Sequence, residues 1–106
     1  MTVIRVLLAE DQAMVRGALA ALLETEDDIQ VCASAANGRE ALTLLAREHP
    51  DVLITDIEMP QMDGHHLLKR VREDRALTKL PVVIFSSLIN EEMRRKGEAI
   101  GADGGA

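Results

Sequence analysis

Short apolar segments alternate with amphipathic segments along the chain, and this alternation constrains the possible fold more than any other feature. The apolar segments are rich in Val, Ile and Leu, which is typical of strands in a buried sheet; they cover residues 3–9, 29–35, 51–56 and 82–86. The amphipathic segments repeat apolar residues at helical spacing; they cover residues 12–24, 39–48, 65–74 and 91–100. This β-α-β-α-β-α-β-α order predicts an α/β fold with a parallel sheet, helices on both faces and right-handed connections.

The chain length and the turn residues agree with that prediction. A chain of 106 residues is long enough for one domain and not for two, so we predict a single domain over residues 1–106. Asn37-Gly38 is a turn signal in which Asn37 can cap the following helix. Pro50 predicts a helix end at His49, because proline disfavours helical geometry in the residue before it.

Charge and composition argue against several classes of partner. The formal net charge of −6 disfavours binding to nucleic acid or to an anionic membrane surface. No apolar run approaches the roughly 20 residues that span a bilayer. The first residues lack the basic region of a signal peptide. The lone Cys32 has no partner for an internal disulfide, which favours a cytoplasmic location.

Carboxylates follow two of the predicted strands. Glu10 and Asp11 end the first strand, Asp56 ends the third, and Glu58 lies two residues further on. A doubly wound sheet binds its ligand at the carboxyl ends of its strands. At roughly 4 Å, two like charges repel by about 4 kcal/mol at an effective dielectric near 20, so a cluster of this kind favours a bound dication. Oxygen ligands suit Mg²⁺ or Mn²⁺.

A carboxylate beside such a metal can attack an activated phosphorus and form an aspartyl phosphate. Asp56 is the candidate nucleophile, and Ser86, at the end of the fourth strand, can offer a hydroxyl to the transferring group. The alternative is that these acids are solvated surface charges, which are common at strand ends. The combination with Met59-Pro60, Asp63-Gly64 and Ser86 is more specific than any single acid.

The motifs VLLAED (6–11), DVLITDIEMPQMDG (51–64), LPVVIFSS (80–87) and GAD (101–103) together resemble the receiver domains of two-component response regulators. The resemblance covers nearly the whole chain in the right order. It implies a flavodoxin-like fold with strand order 2-1-3-4-5. It also implies a histidine kinase, or a small molecule such as acetyl phosphate, as the phosphodonor.

The resemblance assigns a role to each site residue. Asp56 would be the phosphoacceptor, and Ser86 would contact the phosphoryl group and move on activation. Asp11 would ligate Mg²⁺ directly, Glu10 would act through water or hydrogen bonds, and the backbone carbonyl of Glu58 would be the third protein ligand. Such a chain is not an enzyme, beyond metal-dependent phosphorylation and dephosphorylation of itself.

The chain departs from the family pattern near its end. The family lysine after the fifth strand would fall beyond Ala106, and Gly105 occupies the place of an aromatic switch residue. Residues 104–106 form a poor strand, since glycine lacks a side chain to pack. We therefore expect a C-terminally truncated domain with an incomplete fifth strand and no fifth helix. The sheet face and edge left open would then favour self-association.

Residues 1–48 resemble regulators with a LuxR-type tail, whereas residues 80–103 resemble chemotaxis V-type receivers. This uneven resemblance suggests a recombined chain. An alternative function is therefore a receiver-derived scaffold, engineered or truncated, that folds or self-associates without signalling. A phosphatase of the haloacid-dehalogenase type is a weaker alternative, because its Asp-x-Asp follows the first strand. A flavodoxin-type binding module lacks support, because the chain has one Phe and neither Trp nor Tyr.

Overall fold

A computed structural model describes residues 2–86 of the chain. The elements in that range alternate as the sequence predicts, with boundaries shifted by one residue at most. They are β1 (Ile4–Ala9), α1 (Ala13–Leu23), β2 (Ile29–Ala35), α2 (Gly38–Glu48), β3 (Val52–Asp56), α3 (Gly64–Glu73) and β4 (Val82–Phe85). The helix predicted over residues 91–100 and the expected irregular end lie outside the described residues.

The described strands form one parallel sheet in the order β2-β1-β3-β4. This order agrees with the first four strands of the 2-1-3-4-5 arrangement, and it makes β1 and β3 central neighbours. Residues Val6 to Ala9 of β1 are all buried, as expected for a strand with apolar residues on both faces. The order reverses direction between β1 and β3, which places a ligand site at their carboxyl ends.

Helices α2 and α3 cover one face of the sheet and enclose the main core. Their inward residues pack against alternate residues of β1 and β3. Leu45, Leu67 and Val71 from the helices and Leu7 and Leu53 from the strands are fully buried.

The N-terminus of α2 is tightly capped. The side chain of Asn37 accepts a hydrogen bond from the Glu40 amide at 2.8 Å. The Glu40 carboxylate in turn accepts one from the Ala36 amide at 2.9 Å. The first bond satisfies a helix amide that would otherwise lack a partner, and the second ties the residue before the N-cap to the first turn. At the other end, His49 takes a left-handed conformation with a φ of 49°, and the helix stops before Pro50.

Helix α1 lies on the opposite face and is covered far less well. None of its residues is buried, although its apolar residues repeat at helical spacing. Met14 is 88% exposed and Leu22 is 66% exposed. Beside α1, an apolar groove of about 270 Å³ opens on the sheet; its lining residues are Leu8, Leu19, Leu22, Leu23, Ile54, Val83 and Phe85. No helix within residues 2–86 is long and apolar enough to cross a membrane.

The core beneath α2 should supply much of the folding free energy. We predict that Leu45→Ala lowers the free energy of unfolding by about 2–5 kcal/mol, because it removes apolar contacts and leaves a cavity. Thr43→Ala, at an exposed position of the same helix, should change it by about 0.5 kcal/mol or less. Urea unfolding followed by circular dichroism would measure both. Equal effects of the two changes would contradict this account of the core.

Candidate metal and phosphoryl site

The pairing of β1 with β3 brings the predicted acidic residues together. Ala9 of β1 is opposite Thr55 of β3 in the parallel register. The next residues along the two strands are Glu10 and Asp56, so both reach the same edge of the sheet. Carboxylate oxygens of Glu10, Asp11 and Asp56 lie within 4.8 Å of one another.

Burial differs sharply among the three acids. Glu10 is 0% exposed and Asp56 is 1% exposed, whereas Asp11 is exposed. A buried carboxylate is costly unless hydrogen bonds or an opposite charge compensate it. The Oε2 atom of Glu10 accepts a hydrogen bond from the Gln12 amide at 2.9 Å. The Oδ1 atom of Asp56 accepts a long one, 3.4 Å, from the Glu58 amide.

Asp11 and Asp56 line one side of an open cleft of about 560 Å³, whereas the fully buried Glu10 is not among its lining residues. The other side of the cleft is the loop between β3 and α3, and its lining residues are Asp11, Gln12, Asp56, Ile57, Glu58, Met59, Pro60 and Asp63. The possible metal ligands here are carboxylate and carbonyl oxygens, and neither cysteine nor histidine is among the described residues that line the cleft. Hard cations such as Mg²⁺ prefer oxygen ligands of this kind, so the residues present fit such an ion.

Of the other predicted site residues, Glu58 lies at this cleft and Ser86 lies at the end of the neighbouring strand. Glu58 is exposed and lines the cleft. Ser86 directly follows β4, whose last residue, Phe85, pairs with Asp56. The Phe85 carbonyl accepts a hydrogen bond from the Ile57 amide at 2.8 Å, so the start of the loop is tied to β4 beside Ser86.

His65 and His66 are exposed in the first turn of α3 and do not line the cleft.

Arg16 is a contributor that the sequence analysis missed. From α1, its Nη1 atom donates a hydrogen bond to the backbone carbonyl of Glu10 at 2.7 Å. This bond ties α1 to the backbone of the acidic pair. The only sequence signal is a cation five residues after Asp11 in an otherwise apolar helix, and that signal is weak without the fold.

Cys32 lies apart from this chemistry, on β2. The register between β1 and β2 shifts at this point, so that Val31 pairs with Val6 and Ala33 pairs with Leu7. Partial burial raises the pKa of the Cys32 thiol, because an apolar environment disfavours the thiolate. A protonated thiol is a poor nucleophile, so Cys32 is better explained as a small packing residue of β2 than as a reactive thiol.

Comparison with known proteins agrees with this geometry. A family model described as "Response regulator receiver domain" matches residues 6–105. The chain is 42% identical over 99 residues, or 93% of its length, to protein-glutamate methylesterase/protein-glutamine glutaminase 2 of Pseudomonas syringae pv. tomato. That match covers 27% of the Pseudomonas protein. The chain spans about a quarter of the length of the curated relatives it matches.

Solved structures give the same picture. The response regulator domain of Thermotoga maritima CheB superposes with a TM-score of 0.73 at 33% identity, covering 93% of this chain and 72% of that one. Chemotaxis response regulator CheY4 of Vibrio cholerae superposes with a TM-score of 0.71 at 29% identity, covering 94% and 82% of the two chains. Each match covers more than 90% of the chain and so includes parts of both segments, 1–48 and 80–103, for which the sequence suggested different subfamilies.

Repulsion within the acidic cluster should be measurable without any metal. We predict that Asp11→Asn raises the free energy of unfolding by about 1 kcal/mol in metal-free buffer, because it removes one like charge from a partly solvated cluster. Asp27→Asn, at an exposed position in the turn after α1, is the matched control and should change it much less. Thermal unfolding in a chelating buffer of low ionic strength would measure the difference. A loss of stability in Asp11→Asn would show that the cluster is not under electrostatic strain.

Proposed function

Because the chain belongs to the receiver-domain family of response regulators, we propose that it accepts a phosphoryl group on Asp56 in the presence of Mg²⁺. One observation carries this proposal: Glu10, Asp11 and Asp56 converge within 4.8 Å at the carboxyl edge of the central strands. A cleft opens directly in front of Asp11 and Asp56 and leaves room for a phosphodonor.

The proposed reaction is a displacement at phosphorus. A carboxylate oxygen of Asp56 forms a bond to phosphorus as the bond between phosphorus and its leaving group breaks. With phosphoramidate the leaving nitrogen departs with its protons as ammonia, and with acetyl phosphate the leaving group is acetate. The product is a mixed anhydride of Asp56, which water can later hydrolyse.

The metal would be held by Asp11 and Asp56, by Glu10 through water or hydrogen bonds, and by the backbone carbonyl of Glu58. When bound, Mg²⁺ or Mn²⁺ would neutralise charge on the carboxylates and on the phosphoryl oxygens. Two features support this assignment: the three carboxylates converge, and Glu58 lines the same cleft.

Ser86 is proposed to contact the phosphoryl group and to move when the group is bound. Support comes from its position directly after Phe85, which pairs with Asp56 across the sheet. A hydroxyl at that place can donate a hydrogen bond to a phosphoryl oxygen.

The proposed donor is a histidine kinase or a small phosphodonor, and no direct contact with nucleic acid or membrane is part of the proposal. The same proposal implies a cytoplasmic location, because a histidine kinase takes its phosphoryl group from ATP and ATP is found in the cytoplasm. The methylesterase and glutaminase activities belong to much longer relatives. For residues 1–106 we propose one receiver domain that is not an enzyme, beyond phosphorylating and dephosphorylating itself.

Phosphorylation has a direct test. Incubation with Mg²⁺ and phosphoramidate should raise the intact mass of the chain by one phosphoryl group, and Asp56→Asn should abolish this gain. Asp63→Asn is a matched control, because Asp63 lines the same cleft without belonging to the carboxylate cluster. Intact-mass spectrometry measures the gain, and a parallel reaction that contains a chelator from the start tests whether the gain depends on Mg²⁺.

Two outcomes would contradict the phosphoacceptor proposal. One is the absence of any mass gain at every Mg²⁺ concentration, which would favour a scaffold that does not signal. The other is repeated turnover of a phosphate ester, which would favour a phosphatase.

Self-association is the second proposed property, and the groove beside α1 supports it. Among residues 2–86, the groove is lined only by apolar side chains, of which Leu22 is 66% exposed and Val83 is 50% exposed. The proposed occupant is a second copy of the chain. Arg16 is the only charged residue of α1, so two copies can bring this face together with little repulsion despite the net charge of −6. A symmetric contact would bury the same patch on both copies.

A charge placed in the groove should prevent this association. We predict dimers of the unaltered chain at micromolar concentration and monomers of Leu22→Glu, because association would have to bury an unpaired carboxylate. Val3→Glu adds the same charge at an exposed apolar residue outside the groove and should remain dimeric. Light scattering coupled to size exclusion would measure the masses. A monomeric unaltered chain would refute the proposal.

A further inference from the structure

The loop between β3 and α3, residues 57–63, forms one wall of the acidic cleft, yet two of its side chains point into the core. Met59 is 8% exposed and Met62 is 5% exposed, and both belong to the core cluster beneath α2 and α3. Both side chains therefore anchor the loop to the core; Met59 also lines the cleft, whereas Met62 does not. The position of the loop depends on what Met59 and Met62 pack against.

Met62 packs directly on the first residue of α2. A Cβ atom added at Gly38 would lie 2.5 Å from the Met62 carbonyl oxygen, 2.7 Å from the Met62 Cβ and 2.8 Å from its Cγ. Real side chains do not approach backbone atoms this closely. Gly38 thus allows a close approach of two backbones that any other residue would push apart.

Neither side of this contact yields easily. Gly38 begins a helix whose N-terminus is held by the Asn37 and Glu40 caps described above. On the loop side, Gln61 has a φ of 70°, and the Met62 amide donates to the Pro60 carbonyl at 2.7 Å. This is a tight turn in a sparsely populated conformation, and such turns persist only where their surroundings hold them.

The far end of the loop is held in the same way against the phosphoacceptor itself. A Cβ atom at Gly64 would clash with the carbonyl oxygen of Asp56. The Gly64 amide donates to the Ile57 carbonyl at 2.8 Å. The loop is short, and these contacts fix both of its ends. A displacement of Met62 would therefore extend along the loop to Glu58.

We propose that Gly38 is a positioning residue for the metal site: its contact with Met62 sets the place of the β3–α3 loop and, through it, of the Glu58 carbonyl. This inference rests on the proposed function, because it assigns a purpose to the loop of that same cleft. It extends the site to the N-terminus of α2, which carries none of the three clustered carboxylates Glu10, Asp11 and Asp56.

The test compares alanine substitutions at two helical glycines. Gly17, in α1, has nothing within 4 Å of an added Cβ, so Gly17→Ala is the matched control. Mg²⁺ affinity is measured by titration of amide chemical shifts in folded protein, and the metal-free shift of the Glu58 amide is recorded as well. Gly38→Ala should weaken Mg²⁺ binding about tenfold, as expected when the support of a ligand is disturbed. It should also move the metal-free Glu58 amide, whereas Gly17→Ala should do neither.

A general loss of stability is separated by two further variants. Leu45→Ala removes a buried side chain of α2 and should leave the Mg²⁺ affinity of the folded protein unchanged. Met62→Ala releases the loop without adding a clash and should weaken Mg²⁺ binding, which decides the matter if Gly38→Ala does not fold.

Two results would overturn the positioning role. The first is an unchanged Mg²⁺ affinity in folded Gly38→Ala, or in Met62→Ala if Gly38→Ala does not fold. The second is a loss of affinity in Leu45→Ala as large as that in Gly38→Ala. If the unaltered chain binds no Mg²⁺, the proposed function itself fails, and the positioning role fails with it. Normal Mg²⁺ binding and phosphorylation of the unaltered chain, together with an unaffected Gly38→Ala, would remove only the positioning role.

Discussion

The parallel pairing of β1 with β3 is the constraint on which the rest of the structure depends. It buries two apolar strands side by side and, in the same register, carries Glu10 and Asp56 to one edge. Burial of the strands is favourable, but gathering the carboxylates is not, because like charges at short distance repel. The fold therefore uses the stability of its core to hold an electrostatically unfavourable cluster, and clusters of this kind often mark functional sites.

The two faces of the sheet contribute unequally to holding the carboxyl edge, where the acidic cluster lies. The face covered by α2 and α3 is densely packed, and through Gly38 and Gly64 it supports the loop beside Asp56. The face covered by α1 contains no buried helical residue and exposes Leu22. Within residues 2–86, support for the site thus comes mainly from one face, and the opposite face is the one on which self-association is proposed.

Much of this could be predicted from residue patterns. The apolar segments and helical spacings located every described element within one residue, because period and composition report local burial. The acids at strand ends were recognisable as a site once parallel strands were inferred, since parallel strands share a carboxyl edge. Two supports of the site were not recognisable. Arg16 contacts a carbonyl of the acidic pair, and Gly38 contacts Met62, 24 residues further along the chain.

The sequence by itself determined the alternation of elements, the identity of the acidic residues and the family to which the chain belongs. Only the tertiary structure decided which helix faces are covered, because α1 and α2 both carry apolar residues at helical spacing and only α2 is enclosed. It also decided why position 38 suits glycine. A turn explains glycine locally, but the close approach of Met62 depends on how α2 and the β3–α3 loop meet in space, and no local pattern records that.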